Sequence, residues 1–302
     1  MKQFAQIACL FFICYNTLIA QQKDWENPEV FAINKLAPHA DFFSFERRSL
    51  ALQENKEGAA YYQNLDGNWD FYWVQDERKK LSDFYQEDYD ASNWGTMPVP
   101  GNWEVNGYGT PIYVNQSYAF QSKSPPNIPT GKNEIGTYRH SFDLEAAWLE
   151  RDVILHFGAV NSAFYLWVNG QKVGYSQGSK TPAEFDISTY VRAGKNNIVL
   201  EVYRYSDGSY LQCQDFWRVS GIERSVYVYA APKERIVDFE VQSTLIEDYQ
   251  KGQFNARVAL KGTSKLNLTV ELLEKNKTIF ENKQVVDLLK DSIVNFETTL
   301  PT

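Results

Sequence analysis

The sequence predicts an all-β protein: a jelly-roll β-sandwich followed by an immunoglobulin-like β-sandwich that its 302 residues leave incomplete. Three observations carry this expectation. Short strand patterns recur at regular spacing from Tyr61 onward with no amphipathic helix between them, the signature of antiparallel sandwiches. Asn169-Gly170, flanked by apolar runs, is the strongest hairpin signal, because both residue types tolerate the left-handed backbone of a type I′ turn. Aromatic residues make up 15% of the chain, and aromatics suit a pleated, half-buried surface.

Taken in order, residues 1–20 read as a signal peptide, with Lys2 as a weak positive start, an apolar core over Ile7–Tyr15 and Ala20 before the cleavage point. That core is too short to span a bilayer, so no stable membrane span is expected and export to the periplasm is. Cys9 and Cys14 leave with it, and Cys213 alone cannot form a disulfide within the chain. Residues 21–58 form an N-terminal arm poor in strand pattern, which orders only by docking on something else.

A jelly-roll domain is expected over residues 59–231. Leu65-Asp66-Gly67-Asn68 makes a turn into the alternating strand Trp69, Phe71, Trp73. Asp83–Trp94 suggests a short helix, and Met97–Tyr113, punctuated by Pro98, Pro100, Gly101, Gly107, Gly109 and Pro111, reads as loop, as does Ser122–Gly136. Strands are expected at Gly136–Phe142, Asp152–Phe157, Ala163–Val168, Val173–Tyr175, Phe185–Val191 and Asn197–Tyr205, with another around Val226 and Val228. Residues 232–302 supply four more, at Ile236–Leu245, Gly252–Leu260, Asn267–Leu273 and Ser292–Leu300. That is short of the roughly 100 residues an immunoglobulin-like sandwich takes.

The formal charge of −8 argues against a nucleic-acid partner, which needs a basic face. His39, His140 and His156 are scattered, supporting neither a histidine-based triad nor a zinc site. Paired carboxylates for glycoside hydrolysis cannot be picked out of 38 acidic residues. From the residues alone, Asn115 is a turn residue within a nominal glycosylation sequon, Asp215 a surface carboxylate or cap, and Asp24 and Asn27 turn caps. Trp94 and Trp103 read as packing residues, whereas Trp217 beside Asp215 keeps a sugar-stacking reading open.

Four stretches carry a resemblance: DWENP at Asp24–Pro28, VPGNWEVNGYGTPIYVN at Val99–Asn115, VNSAFYLWVNGQKVGYSQGSKTPAEFD at Val160–Asp186, and SDGSYLQCQDFWRVSGIER at Ser206–Arg224. In these the chain resembles the N-terminal region of bacterial β-galactosidases of glycoside hydrolase family 2. The resemblance implies a jelly-roll (galactose-binding-like) domain and an immunoglobulin-like domain, with a catalytic (β/α)8 barrel to follow. Both catalytic glutamates of a retaining mechanism belong to that barrel, so no catalytic residue is expected in this chain and it should be inactive alone. The resemblance also implies that Asn115 reaches the galactose and that Asp215 ligates a sodium ion touching the sugar. Asp24, Asn27, the Val30 carbonyl, Gln177 and Asp207 would hold a structural divalent cation, magnesium, that staples the arm. Implied partners are a β-galactoside or galactose-containing oligosaccharide and, for the full-length enzyme, further copies of itself. The alternative is a stand-alone, non-catalytic carbohydrate-binding protein.

Overall fold

A computed structural model describes residues 23–115, 117–120, 124–212 and 214–301; the expected signal peptide, with Cys9 and Cys14, and Cys213 lie outside the described residues. Strands dominate. In the arm lie β1 (Ala32–Ile33) and one short helix, α1 (Arg48–Gln53). There follow β2 (Tyr62–Asn64), β3 (Gly67–Val74), β4 (Gly95–Val99), β5 (Gly101–Asn102), β6 (Ile112–Val114), β7 (Ile135–Leu144) and β8 (Asp152–Phe157). Next come β9 (Val160–Asn161), β10 (Ala163–Val168), β11 (Gln171–Gln177), β12 (Ala183–Asp186), β13 (Gly194–Tyr203), β14 (Phe216–Arg218), β15 (Gly221–Ile222) and β16 (Val226–Ala231). The last five are β17 (Arg235–Ile246), β18 (Lys251–Lys261), β19 (Lys265–Glu274), β20 (Lys277–Asp287) and β21 (Ile293–Pro301).

Two sheets make the sandwich. A seven-stranded sheet runs β1-β11-β10-β13-β7-β3-β4 and faces a four-stranded sheet, β12-β8-β16-β2. Between them lies a dry core to which Trp69, Phe71, Tyr138, Leu166 and Leu200 contribute from one side and Leu155, Phe157, Phe185 and Val228 from the other. Period-2 alternation explains the sorting: on β13, Leu200 and Val202 face this core, while Val199 and Tyr203 join separate clusters on the opposite face. That outer face is covered as well. Trp25 of the arm stacks on Tyr203 at 5.1 Å, and Tyr85 stacks on Trp167 at 5.6 Å. The hairpin forms as expected, with Asn169 at φ 48° and Gly170 at φ 77°, the double left-handed geometry of a type I′ turn.

Beyond the sandwich, β17-β18-β21 form a three-stranded sheet and β19-β20 a two-stranded one. Val258, Leu260, Leu268, Val286, Val294 and Phe296 make a core of their own between them. Asp152, at the start of β8, joins the two parts. The Lys233, Arg235 and Lys261 side chains all bond its carboxylate, and these cations overcome its burial to hold it well below the usual carboxylate range.

Several expectations need correction. Met97–Tyr113 is not plain loop: it holds the end of β4, β5, a 3-10 turn at Glu104–Asn106 and the start of β6. Pro98 is tolerated in β4 because β4 is the edge of its sheet, where a missing N–H costs no ladder bond. Asp83–Trp94 contains no helix; the nearest helical turn is the 3-10 turn Glu77–Lys79. Phe185–Val191 is strand only to Asp186, whose carboxylate then accepts bonds from the Ser188 amide at 3.0 Å and hydroxyl at 2.5 Å and turns the chain. Conversely, β20 went unforeseen. Its hairpin turns on Lys275 and Asn276, both at positive φ, without the glycine that announces such a turn.

Candidate functional site

β6 and β14 pair only with each other, as a two-stranded antiparallel ribbon with Val114 opposite Phe216 and Ile112 opposite Arg218. Asn115 follows β6 and Asp215 precedes β14, so both stand one step past the last paired residues at the same end of the ribbon. Residues 100 positions apart in sequence are thereby brought to one edge. Both are exposed. Tyr113 donates its hydroxyl to the Asp215 carboxylate, and that bond, with the nearby charge, raises the Tyr113 pKa. Beside Tyr113 lies Trp217, ring centroids 5.8 Å apart and 56% exposed. An exposed tryptophan next to an anchored carboxylate and an exposed amide combines a stacking face with both hydrogen-bond polarities.

Asp215 lines a cavity of about 680 Å³, within the size range of small-molecule sites. Its walls alternate aromatic and polar groups, among them Phe120, Tyr205, Phe216, Ser179 and Gln212. Ser179 donates to Gln212 at 2.6 Å, an example of polar wall groups already tied in place. Trp103 takes no part; it is fully buried and donates to the Tyr138 hydroxyl at 2.5 Å. Trp94 packs against Tyr72 and Tyr89.

The second predicted set meets where the arm docks. Asp24 accepts a bond from the Tyr165 hydroxyl at 2.8 Å. Asn27 accepts from the Glu29 amide at 3.2 Å, the turn-capping role, and its carbonyl accepts from the Val30 amide at 2.9 Å. Next to Val30, the Phe31 carbonyl accepts from the Gln177 amide at 3.1 Å. Gln177 in turn accepts from Tyr175 at 3.0 Å. Burial, then neighbouring Tyr165, Asp207 and Asp24, push the Tyr175 pKa up. Asp207 begins a 3-10 turn and is largely buried, with its Oδ1 lacking any hydrogen-bond partner among the described residues. Burial raises its pKa. No cluster of three or more His, Cys, Asp or Glu among the described residues is placed to hold a metal ion. Asp24, Gln177 and Asp207 gather around Tyr175, and the orphaned Asp207 oxygen, with carboxylate and amide oxygens beside it, suits a hard cation, which takes such donors.

Sequence reasoning missed a third cluster. Glu184, on β12, binds His39 of the arm at 2.9 Å and His156 of β8 at 2.8 Å. Burial opposes its ionisation, yet the bonds from His156 and His39 hold its pKa at about 2. The two histidines are 117 residues apart in number, and only the β12–β8 ladder and the docked arm bring them to one acid.

The family described as "Glycosyl hydrolases family 2, sugar binding domain" matches residues 62–232. A beta-galactosidase of Priestia megaterium is 39% identical over 236 residues, covering 77% of this chain and 23% of that protein. One of Clostridium acetobutylicum is 34% identical over 257 residues, 83% of this chain and 28% of the relative. The chain thus spans about a quarter of the length of these curated relatives. Among solved structures, a Bifidobacterium dentium beta-glucuronidase superposes with a TM-score of 0.60 at 16% identity, over 82% of this chain and 43% of that one. Bacteroides uniformis beta-glucuronidase 2 also gives 0.60, at 17% identity over 80% and 27%. These structures share the fold. The family match spans more than half of the 302 residues and includes both the ribbon and the cavity, and the chain belongs to glycosyl hydrolase family 2 through its sugar-binding domain.

Proposed function

We propose that this chain is the sugar-binding N-terminal part of a retaining β-galactosidase that removes terminal non-reducing β-D-galactose residues from β-galactosides. The observation that carries the reading is the shared ribbon edge, where Asn115 and Asp215 flank one strand pair at the same end and Asp215 lines the cavity. Identity of 39% and 34% to proteins named beta-galactosidase favours galactose over other sugars. In this reading Asn115 donates to and accepts from ring hydroxyls. Asp215, oriented by Tyr113, would hold a sodium ion, which supplies a positive charge for sugar oxygens to approach. Asp24, Asn27, Val30, Gln177 and Asp207 would hold magnesium, which fixes the arm and does no chemistry. The paired glutamates belong to a barrel elsewhere in the longer protein, so this chain binds sugar without cleaving it. Export to the periplasm and self-assembly of the full-length enzyme belong to the same proposal.

Calorimetric titration of the chain with methyl β-D-galactoside, methyl β-D-glucoside and methyl β-D-glucuronide, in sodium and then potassium buffer, tests it. The galactoside should bind best and depend on sodium. Asp215→Asn should weaken it about ten- to hundredfold, the scale of losing a bond to a charged group. Equal or tighter glucuronide binding would overturn the galactose assignment. Galactoside binding unaffected by Asp215→Asn would remove the ribbon from the site.

A further inference from the structure

We propose that Arg204 is a positioning residue whose guanidinium clamps the base of the β6–β14 ribbon and so sets where Asn115 and Asp215 stand. The inference rests on the reading of that ribbon as a sugar-contacting edge, although the clamp itself is a matter of geometry. Isolated two-stranded ribbons are marginal in water, and this one has no other strand beside it among the described residues. The chain leaving β14 is tied to the β5-β15-β9 sheet at Gly221 and Ile222, but the side where β6 enters has no such anchor among the described residues and needs another hold.

Arg204 directly follows β13, a strand in the middle of the rigid seven-stranded sheet. Its Nη2 donates to the Thr110 carbonyl at 2.8 Å, two residues before β6, and to the carbonyl of Arg218, the last residue of β14, at 3.4 Å. One planar group therefore holds both strands of the ribbon at its root. Nη1 donates to Glu134 at 2.6 Å, and the Arg204 amide donates to the Glu134 carbonyl at 2.9 Å. Glu104 approaches Nη2 at 3.5 Å with one oxygen and accepts from the Ser220 amide at 2.9 Å with the other, catching the chain just after β14.

The clamp is buried, although Arg204 Nε and one oxygen each of Glu104 and Glu134 find no hydrogen-bond partner among the described residues. The Arg204 side chain is 2% exposed. Gly109, at φ 76°, holds a backbone conformation that side-chain-bearing residues rarely adopt, and a Cβ there would lie 2.5 Å from a Glu134 oxygen. Arg204 also lines the cavity, with Glu134 and Glu104 on its guanidinium, so ribbon exchange rather than affinity alone reports its positioning role. Lysine cannot replace it, since a single ammonium lacks the planar fork needed to reach Glu134 on one side and two carbonyls on the other.

Amide hydrogen exchange on the whole 302-residue chain, compared between wild type and Arg204→Lys, decides the matter, with galactoside titration alongside. Exchange at Tyr113, Val114, Phe216 and Trp217 should accelerate about tenfold or more, while β10 and β13 amides keep their protection. Methyl β-D-galactoside affinity should fall about tenfold with it, although no residue at the ribbon tip has changed. Glu134→Gln, which loosens the clamp while keeping the guanidinium, should give a smaller effect of the same pattern and serves if Arg204→Lys does not fold. Ribbon exchange within about twofold of wild type, or acceleration spread evenly over all strands, would overturn the proposal. If the wild type binds no galactoside, the sugar reading fails while the exchange pattern still decides whether Arg204 is a clamp.

Discussion

Docking of the N-terminal arm should weaken as the solution is made alkaline, and His39 is the group responsible. Its bond to Glu184 raises its pKa from 6.5 to about 9, aided by the Ala40 carbonyl and the nearby Asp238 charge and opposed by burial. A histidine whose folded pKa is raised contributes stability fully below its unfolded value and loses it as pH climbs through the folded value. The window here therefore runs from about 6.5 to 9. At face value the displacement is worth about 3 kcal/mol. The side chain keeps 26% of its surface open to solvent, and screening brings the figure to about 1–2 kcal/mol. Glu184 titrates the same contact from the other side: its pKa is depressed from 4.5 to about 2, so stability is lost again as pH falls through that interval. The assay is urea unfolding of wild type and His39→Gln at pH ~6 and pH ~10, with proteolysis of the arm as a local probe. The substitution should cost about 1–2 kcal/mol at the lower pH and close to nothing at the higher. A cost equal at both would refute the ion-pair account of arm docking.

Two further outcomes follow from the packing and one from the magnesium proposal. Trp25→Ala removes a ring that is 4% exposed and stacked on Tyr203; arm amides should lose protection by about 3 kcal/mol in exchange experiments, with the sandwich strands unchanged. At Gly136, a Cβ would lie 2.4 Å from Trp103 and 2.7 Å from Phe71, so Gly136→Ala should destabilise the whole sandwich by about 1–3 kcal/mol in chemical denaturation. Under the magnesium proposal, millimolar Mg2+ should raise the melting temperature of the wild type and chelation should lower it. Asp207→Asn should abolish that response, and an unchanged response would remove Asp207 from the site.

Much of this architecture was legible in the sequence because its signals are local. The spans Asp152–Phe157 and Ala163–Val168 match β8 and β10 residue for residue, since apolar strands bounded by turn residues have few alternatives. Where propensity misled, tertiary placement decided. Pro98 marks an edge strand rather than a loop, and β20 was hidden because a turn of two non-glycine residues carries no composition signal. The candidate site was legible only as motifs. DWENP and the stretches ending at Asn115 and surrounding Asp215 name the residues, but nothing local says that β6 and β14 pair. Tyr113, Arg204 and Glu184 were invisible for the same reason. Their partners lie 102, 94 and 145 residues away in sequence, and a polar side chain acquires its role only when the fold delivers the other half of the bond.

The most direct test of the central claim is where a galactoside touches the chain. Backbone amide shifts recorded during titration with methyl β-D-galactoside should move at Val114, Asn115, Asp215 and Phe216, the ribbon tip beside the cavity, and stay still on β17 to β21. Saturable shifts confined to any other surface, with the ribbon tip unmoved, would contradict the assignment of Asn115 and Asp215 as the sugar-contacting edge.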